Sequence, residues 1–139
     1  MSAPQGLGGA LLLESGTSAT INASLLDGQF SQRSHAQSGG AVYASDARAS
    51  LLDTVVTRWN ASRDGGGVFV GKRSRLSMQR VRLERCGGEG GGALYLVENA
   101  EANLTTCVLQ RNMARVDGGA VYVEKSAARV SGCDFTLNH

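Results

Sequence analysis

Catalysis by this chain would have to come from few side chains. Among 139 residues there are two histidines, three cysteines and 12 acidic residues, and the acids are scattered. Lyase chemistry on a metal needs several carboxylates around Ca²⁺ together with a basic catalyst, and glycoside hydrolysis needs two carboxylates about 5–9.5 Å apart. Asp27 and Asp53 line up with no further acid, Asp64 and Asp117 precede glycine pairs far apart in the chain, and His35 and His139 stand alone. No catalytic, metal-ligating or cofactor-binding residue is therefore assigned, and the expectation is a chain that is not an enzyme and takes no cofactor. Cys86, Cys107 and Cys133 form neither an even-numbered disulfide framework nor a Cys-x-x-Cys metal site. Without an activating base, stacked buried thiols are inert.

Two features offer recognition chemistry instead. Tyr43, Tyr95 and Tyr122 could form an outward aromatic stripe of the kind that stacks sugar rings or anchors a protein. Lys72, Arg73, Arg75, Arg80, Arg82 and Arg85 form a basic run whose only acid is Glu84, and the guanidinium forks of Arg80 and Arg82 match carboxylate and sulfate geometry. Plain packing beneath a loop is the alternative for the rings, and a solvated charged face for the arginines.

Positioning such residues requires short, often-turned elements. The chain is 42% hydrophobic, enough for one packed domain, but it has 19 Gly against 1 Pro and is only 5% aromatic. Its net charge of +2 is too small to imply a nucleic-acid partner. No apolar run approaches the roughly 18 residues of a membrane span, so no membrane insertion is expected, and Met1 to Gln5 lack the features of a signal peptide.

A Gly-Gly-small-apolar-apolar signal recurs with starts at Gly8, Gly39, Gly66, Gly91 and Gly118, at steps of 31, 27, 25 and 27 residues. Downstream runs a second row, Ile21, Leu52, Met78, Leu104 and Val130. A third holds Leu26, Thr57, Leu83, Leu109 and Phe135, and a turn row holds Gln29, Asn60, Cys86, Asn112 and Asn138. Helical repeats need more residues and fewer glycines, and the leucine-rich core is missing. The expectation is an all-β, right-handed parallel β-helix of about five coils of 25–31 residues, spanning 1–139 as one segment of a longer solenoid.

Parity in the first strand puts Leu11, Val42, Phe69, Leu94 and Val121 inside with Leu13, Ala44, Gly71, Leu96 and Val123. The opposite parity turns outward Ala41, Val68, Ala93 and Ala120 with Tyr43, Val70, Tyr95 and Tyr122. Val81 and Leu83 alternate with Arg80, Arg82 and Glu84, which sends the arginines to solvent, with Glu84 beside Arg58 of the preceding coil. Gln29 to Ser38 reads as a loop.

Gly118-Gly119-Ala120-Val121 followed by Cys133-Asp134-Phe135-Thr136-Leu137-Asn138 resembles the GGA[ILV] and FxxN repeats of the polymorphic outer-membrane protein family, over about Gly8 to Asn138. The resemblance implies β-helix coils of surface adhesins and autotransporter passengers, within the pectate-lyase-like β-helix superfamily. It further implies an extracellular or cell-surface location and a non-enzymatic role, adhesin-like or structural, with a polysaccharide or surface protein as partner. The alternative is a fragment of a carbohydrate-active lyase or hydrolase whose catalytic coils lie outside these residues. Asn22-Ala23-Ser24, Asn60-Ala61-Ser62 and Asn103-Leu104-Thr105 are glycosylation acceptors by pattern, in keeping with a secreted chain. Open coil ends present unpaired strand edges, so end-to-end self-association is a further expectation.

Overall fold

The computed structural model describes residues 11–28, 35–38 and 40–139, with the backbone alone at 35–38 and 60–64. The described chain is all β. The first turn comprises β1 (Leu11–Glu14), β2 (Ser18–Asn22), β3 (Leu25–Asp27) and β4 (His35–Ser38). The second holds β5 (Val42–Ser45), β6 (Arg48–Leu52), β7 (Val55–Thr57) and β8 (Asn60–Asp64). The third holds β9 (Val68–Gly71), β10 (Arg75–Gln79), β11 (Arg82–Glu84) and β12 (Gly87–Gly90). The fourth holds β13 (Leu94–Leu96), β14 (Glu101–Thr105), β15 (Val108–Gln110) and β16 (Met113–Asp117). Three strands of a fifth follow, β17 (Val121–Val123), β18 (Ala127–Ser131) and β19 (Asp134–Thr136).

Equivalent strands of successive turns pair in parallel, giving three sheets of five strands and one of four. The result is a parallel β-solenoid of four complete turns plus those three strands, slightly short of the expected five coils. No helix is present among the described residues, so none is long and apolar enough to cross a membrane. The expected loop at 29–38 contains a strand, β4, paired with β8; positions 29–34 lie outside the described residues.

Such short strands form here because each is too brief to bury a face alone but stacks like on like against the next turn. Leu13, Val42, Val68, Val70, Leu94 and Leu96 are buried behind the first sheet; Leu51, Leu76, Met78 and Leu104 behind the second; Val56, Leu83 and Leu109 behind the third. Full burial of each large aliphatic side chain stabilises by about 1.5–3 kcal/mol relative to exposure.

Register corrects three expected rows. In the first sheet Val42 pairs with Val68 and Val68 with Leu94, so the glycine pair of the third turn starts at Gly65, one residue earlier than expected, and the starts after Gly39 fall 26, 26 and 27 residues apart. Phe69 accordingly faces out, whereas Val68 and Val70 are fully buried. In the second turn Leu51, not Leu52, stacks between Ile21 and Met78, and Val56, not Thr57, stacks between Leu26 and Leu83. Ala41 and Ala93, expected to face out, are fully buried.

The slip at Phe69 comes from the run Gly65 to Gly67, which allows two starts for the pair, whereas those at Leu51 and Val56 share another physical source. The corner between the first and second sheets takes positions 45–47 in the second turn but 71–74 in the third and 97–100 in the fourth, as the pairings on either side require. The shorter corner has one non-glycine residue with positive φ, Asp46 at 51°, while the longer ones have two, Lys72 and Arg73 or Glu98 and Asn99. Corner length thus varies by one residue without disturbing the sheets.

Candidate functional site

The tyrosines lie on one row, as expected, but the row has no gap. Phe69 fills the third turn, and Tyr43, Phe69, Tyr95 and Tyr122 form a continuous stack with ring centroids 4.8, 5.4 and 4.7 Å apart and planes within 2°, 11° and 10° of parallel. All four rings are half-buried. Strand spacing dictates this geometry, because side chains in register on parallel strands sit about 4.8 Å apart, close to ring-stacking distance. The ring faces are therefore largely spent on one another, and what points outward is a line of edges and hydroxyls. Tyr122 donates to Glu124 Oε2 at 3.4 Å, and burial raises the Tyr43 phenol pKa above its ordinary value against the opposing effect of a hydrogen bond to Ser45. Stacking a pyranose on a ring face, the chemistry expected of these residues, would require opening the row.

The basic run, contiguous in sequence, is wound around the perimeter of the third turn. Lys72 and Arg73 occupy the corner before β10, Arg75 opens β10, Arg80 turns the next corner, Arg82 lies outward on β11, and Arg85 turns the corner after it. Arg80 and Arg82 are exposed while Val81 and Leu83 are buried, as alternation predicts. Arg80 is engaged by Asp53 of the preceding turn through two hydrogen bonds, one of 3.0 Å, and this contact holds the Asp53 carboxyl below the usual carboxylate range. The expected Glu84–Arg58 neighbour pair is replaced by two others. Arg58 donates to Asp27 one turn earlier, its Nε 3.0 Å from Oδ1, and Glu84 accepts from Gln110 at 2.7 Å one turn later.

Register creates a different basic cluster, which the sequence keeps apart. Arg48 and Arg75 are direct partners in the second sheet, and Arg73 stands at the adjoining corner. Together with Thr17 and Asp46 they line an open groove of about 540 Å³. Arg75 meets Glu101 at 3.5 Å with both side chains exposed. Neither Arg48 nor Arg73 has an ion pair among the described residues.

The turn row is structural, and its members differ from those expected. Trp59, not Asn60, occupies it in the second turn; Asn60 begins β8, opposite Gly87, and Gln29 lies outside the described residues. Asn138 Nδ2 donates to Leu109 O at 2.9 Å, Asn112 Nδ2 to Leu83 O at 3.1 Å and Trp59 Nε1 to Leu26 O at 2.9 Å. Amide and indole thus cap the carbonyl of a third-sheet core residue one turn back, and the Cys86 thiol at the equivalent position lies 3.9 Å from Val56 O but nearer, at 3.5 Å, to Glu84 O of its own turn. Ser74 and Ser126 tie the first corner similarly, accepting from the backbone N–H groups of Ala47 and Ala100.

Cys107 and Cys133 do stack in adjacent turns. Cys133 Sγ accepts from Cys107 N at 3.2 Å, and both thiols point to carbonyls of the second sheet, those of Met78 and Leu104, at 3.5 Å. Full burial pushes the Cys86 thiol up to about 12, and burial also raises that of Cys107. Because the thiolate is the nucleophile, a rise from 9.0 to about 12 leaves Cys86 about a thousandfold less ionised near pH 8. Under native conditions, half-exposed Cys133 is expected to react first with iodoacetamide and Cys86 last. Peptide mass spectrometry over a time course checks this, and equal rates at all three would contradict the packing.

No group of three or more metal-ligating side chains occurs among the described residues. Asn22 and Asn103 are exposed on the outward face of the second sheet. Across comparisons with known proteins, no family model, no curated protein and no solved structure matches this chain.

Proposed function

We propose that this chain is a non-enzymatic recognition segment of a surface or extracellular β-solenoid, of the kind built by the polymorphic outer-membrane repeats that its sequence resembles. The observation that supports this most is the outward face of the second sheet. Thr20, Ser50, Ser77, Asn103 and Arg129 form one in-register row across five strands. Beside it runs a second, of Asn22, Leu52, Gln79, Thr105 and Ser131. Nearly all are polar, and they recur at the ~4.8 Å spacing of strands. A plane of hydroxyl and amide groups with a short repeat suits an extended partner that has a repeat of its own, such as a polysaccharide, better than a compact small molecule, which calls for a concave and mostly apolar pocket.

The test is an array of extracellular polysaccharides and matrix proteins probed with the purified chain, with polymer length followed by size-exclusion chromatography. Binding that leaves polymer length unchanged is expected. Depolymerisation would replace the proposal with a carbohydrate-active enzyme, and no retention of any partner would leave a structural spacer.

A further inference from the structure

We infer that the groove lined by Arg48, Arg73 and Arg75 is a binding site for an acidic polysaccharide, one carrying sulfate or carboxylate groups. The inference rests on the recognition reading and gives it a ligand class and a location. Two arginines in direct register on neighbouring parallel strands repel one another, and β-sheet pairs ordinarily avoid like charges directly opposite. Here a third arginine, at the adjoining corner, adds to that charge. The position of Arg73 is itself unfavourable for a side chain, since its backbone has φ 60° where glycine is the usual occupant. Of the three, Arg75 alone has a carboxylate partner among the described residues, and that contact, at 3.5 Å between exposed groups, is weak and readily exchanged. Arg48 and Arg73 have no ion pair among the described residues, in contrast to Arg58 and Arg80, each held by an aspartate of the preceding turn.

Guanidinium forks recognise planar or tetrahedral oxyanions through paired N–H donors. Thr17 and Ser18 of the first turn also line the groove. From the groove, the polar rows of the second sheet continue without a step, because Ser18, Arg48 and Arg75 begin the strands that carry Thr20, Ser50 and Ser77. A chain with acidic groups in the groove thus has hydroxyl and amide partners for its neighbouring sugar hydroxyls.

A nucleic acid fits less well. The aromatic rings that could stack single-stranded bases lie in another sheet, stacked on each other, and a net charge of +2 is small for a surface that binds a duplex.

The experiment measures binding of the whole chain to dextran sulfate, polygalacturonate, neutral dextran and duplex DNA by surface plasmon resonance at two salt concentrations. The expected result is retention of at least one acidic polysaccharide, weakened by salt, and no retention of neutral dextran. Affinity should fall about tenfold or more in Arg48→Ser/Arg75→Ser, and again on adding Arg73→Ser, in line with loss of charge-assisted hydrogen bonds. Arg111→Ser/Lys125→Ser removes the same charge from exposed corners elsewhere on the surface and should change little; circular dichroism confirms that each variant folds. Acidic chains held equally by the groove variant, or lost in the control variant, would overturn the site while leaving the recognition reading intact. Duplex DNA held as tightly as the acidic polysaccharides would reduce the effect to unspecific charge and overturn the ligand class. Retention of neutral dextran alone, or of none of the four, would overturn this inference, while the recognition reading stands or falls on the wider array of polysaccharides and matrix proteins.

Discussion

Gly66→Ala is expected to destabilise the protein by at least about 3 kcal/mol, the upper end of overpacking costs. A Cβ at this position would lie 2.1 Å from Gly87 O, 2.4 Å from its carbonyl carbon and 2.5 Å from its nitrogen, all backbone atoms that no rotamer change can move aside. The same close approach recurs at Gly40, Gly92 and Gly119. The two glycines of the pairs at 65 and 66, 91 and 92, and 118 and 119 therefore answer to different constraints. The first, as at Gly91 with φ 59°, turns the backbone left-handed; the second lets successive turns touch backbone to backbone. Gly16→Ala is the control, because its φ of 78° imposes a conformational cost of about 1–2 kcal/mol while nothing lies within 4 Å of the added carbon. Urea denaturation of both variants measures the difference. Since each turn contacts only its neighbours, the Gly66 variant should also show a lower denaturant slope, as one weak interface uncouples the turns on its two sides. Equal losses in the two variants would show that close approach contributes nothing.

The division of labour within these glycine pairs explains how much of the fold was legible. Repeated pairs announce a solenoid, because only a stacked architecture needs a left-handed turn and a backbone contact once per turn. Register was harder to read, for reasons visible in particular residues. The third turn has three consecutive glycines, Gly65, Gly66 and Gly67, which offer two equivalent starting points. Leu51-Leu52 and Val55-Val56 are apolar doublets whose parity is ambiguous until their partners are known, and only pairing with Met78 and Leu83 selects Leu51 and Val56. The aromatic row was half legible: tyrosines at equivalent positions mark it, but Phe69 joins it only once the register is right. The basic groove was not legible at all. Arg48 and Arg75 stand 27 residues apart in sequence, and the corner lengths that bring them together cannot be counted from composition. Conversely, the basic run from Lys72 to Arg85 looks like a patch because sequence proximity is mistaken for spatial proximity, whereas one turn of the solenoid sends those side chains in several directions.

The largest side-chain effect is expected at Asn112. Its side chain is fully buried and makes three kinds of contact: Oδ1 accepts from Cys86 N at 3.0 Å, while Nδ2 donates to Leu83 O at 3.1 Å and to Asn138 Oδ1 at 3.0 Å. Asn112→Ala removes the side-chain partner of a buried N–H and of a buried carbonyl at once. At about 1–3 kcal/mol for each group stripped of its partner, the expected loss is about 4 kcal/mol. Asn138 makes the equivalent bond to Leu109 O and accepts from Asn112 N, but it is only half-buried, so water can replace its amide. Asn138→Ala should therefore cost clearly less, although the two residues are chemically identical and 26 positions apart in the repeat. Asn112→Asp separates the acceptor from the donor role. The carboxylate still accepts from Cys86 N but faces the Leu83 and Asn138 oxygens, so its protonated form is favoured in the folded state and its pKa rises above the unfolded value of about 4. A raised folded pKa gives stability that is fully present below the unfolded value and is lost as pH rises through the folded one. Relative to the parent, the Asp variant should thus be least impaired at acid pH and progressively worse toward neutrality. Thermal denaturation from pH 3 to 7 reads this directly, and a flat difference, or an Asn112→Ala loss no greater than that of Asn138→Ala, would mean that the amide row does not hold the turns together.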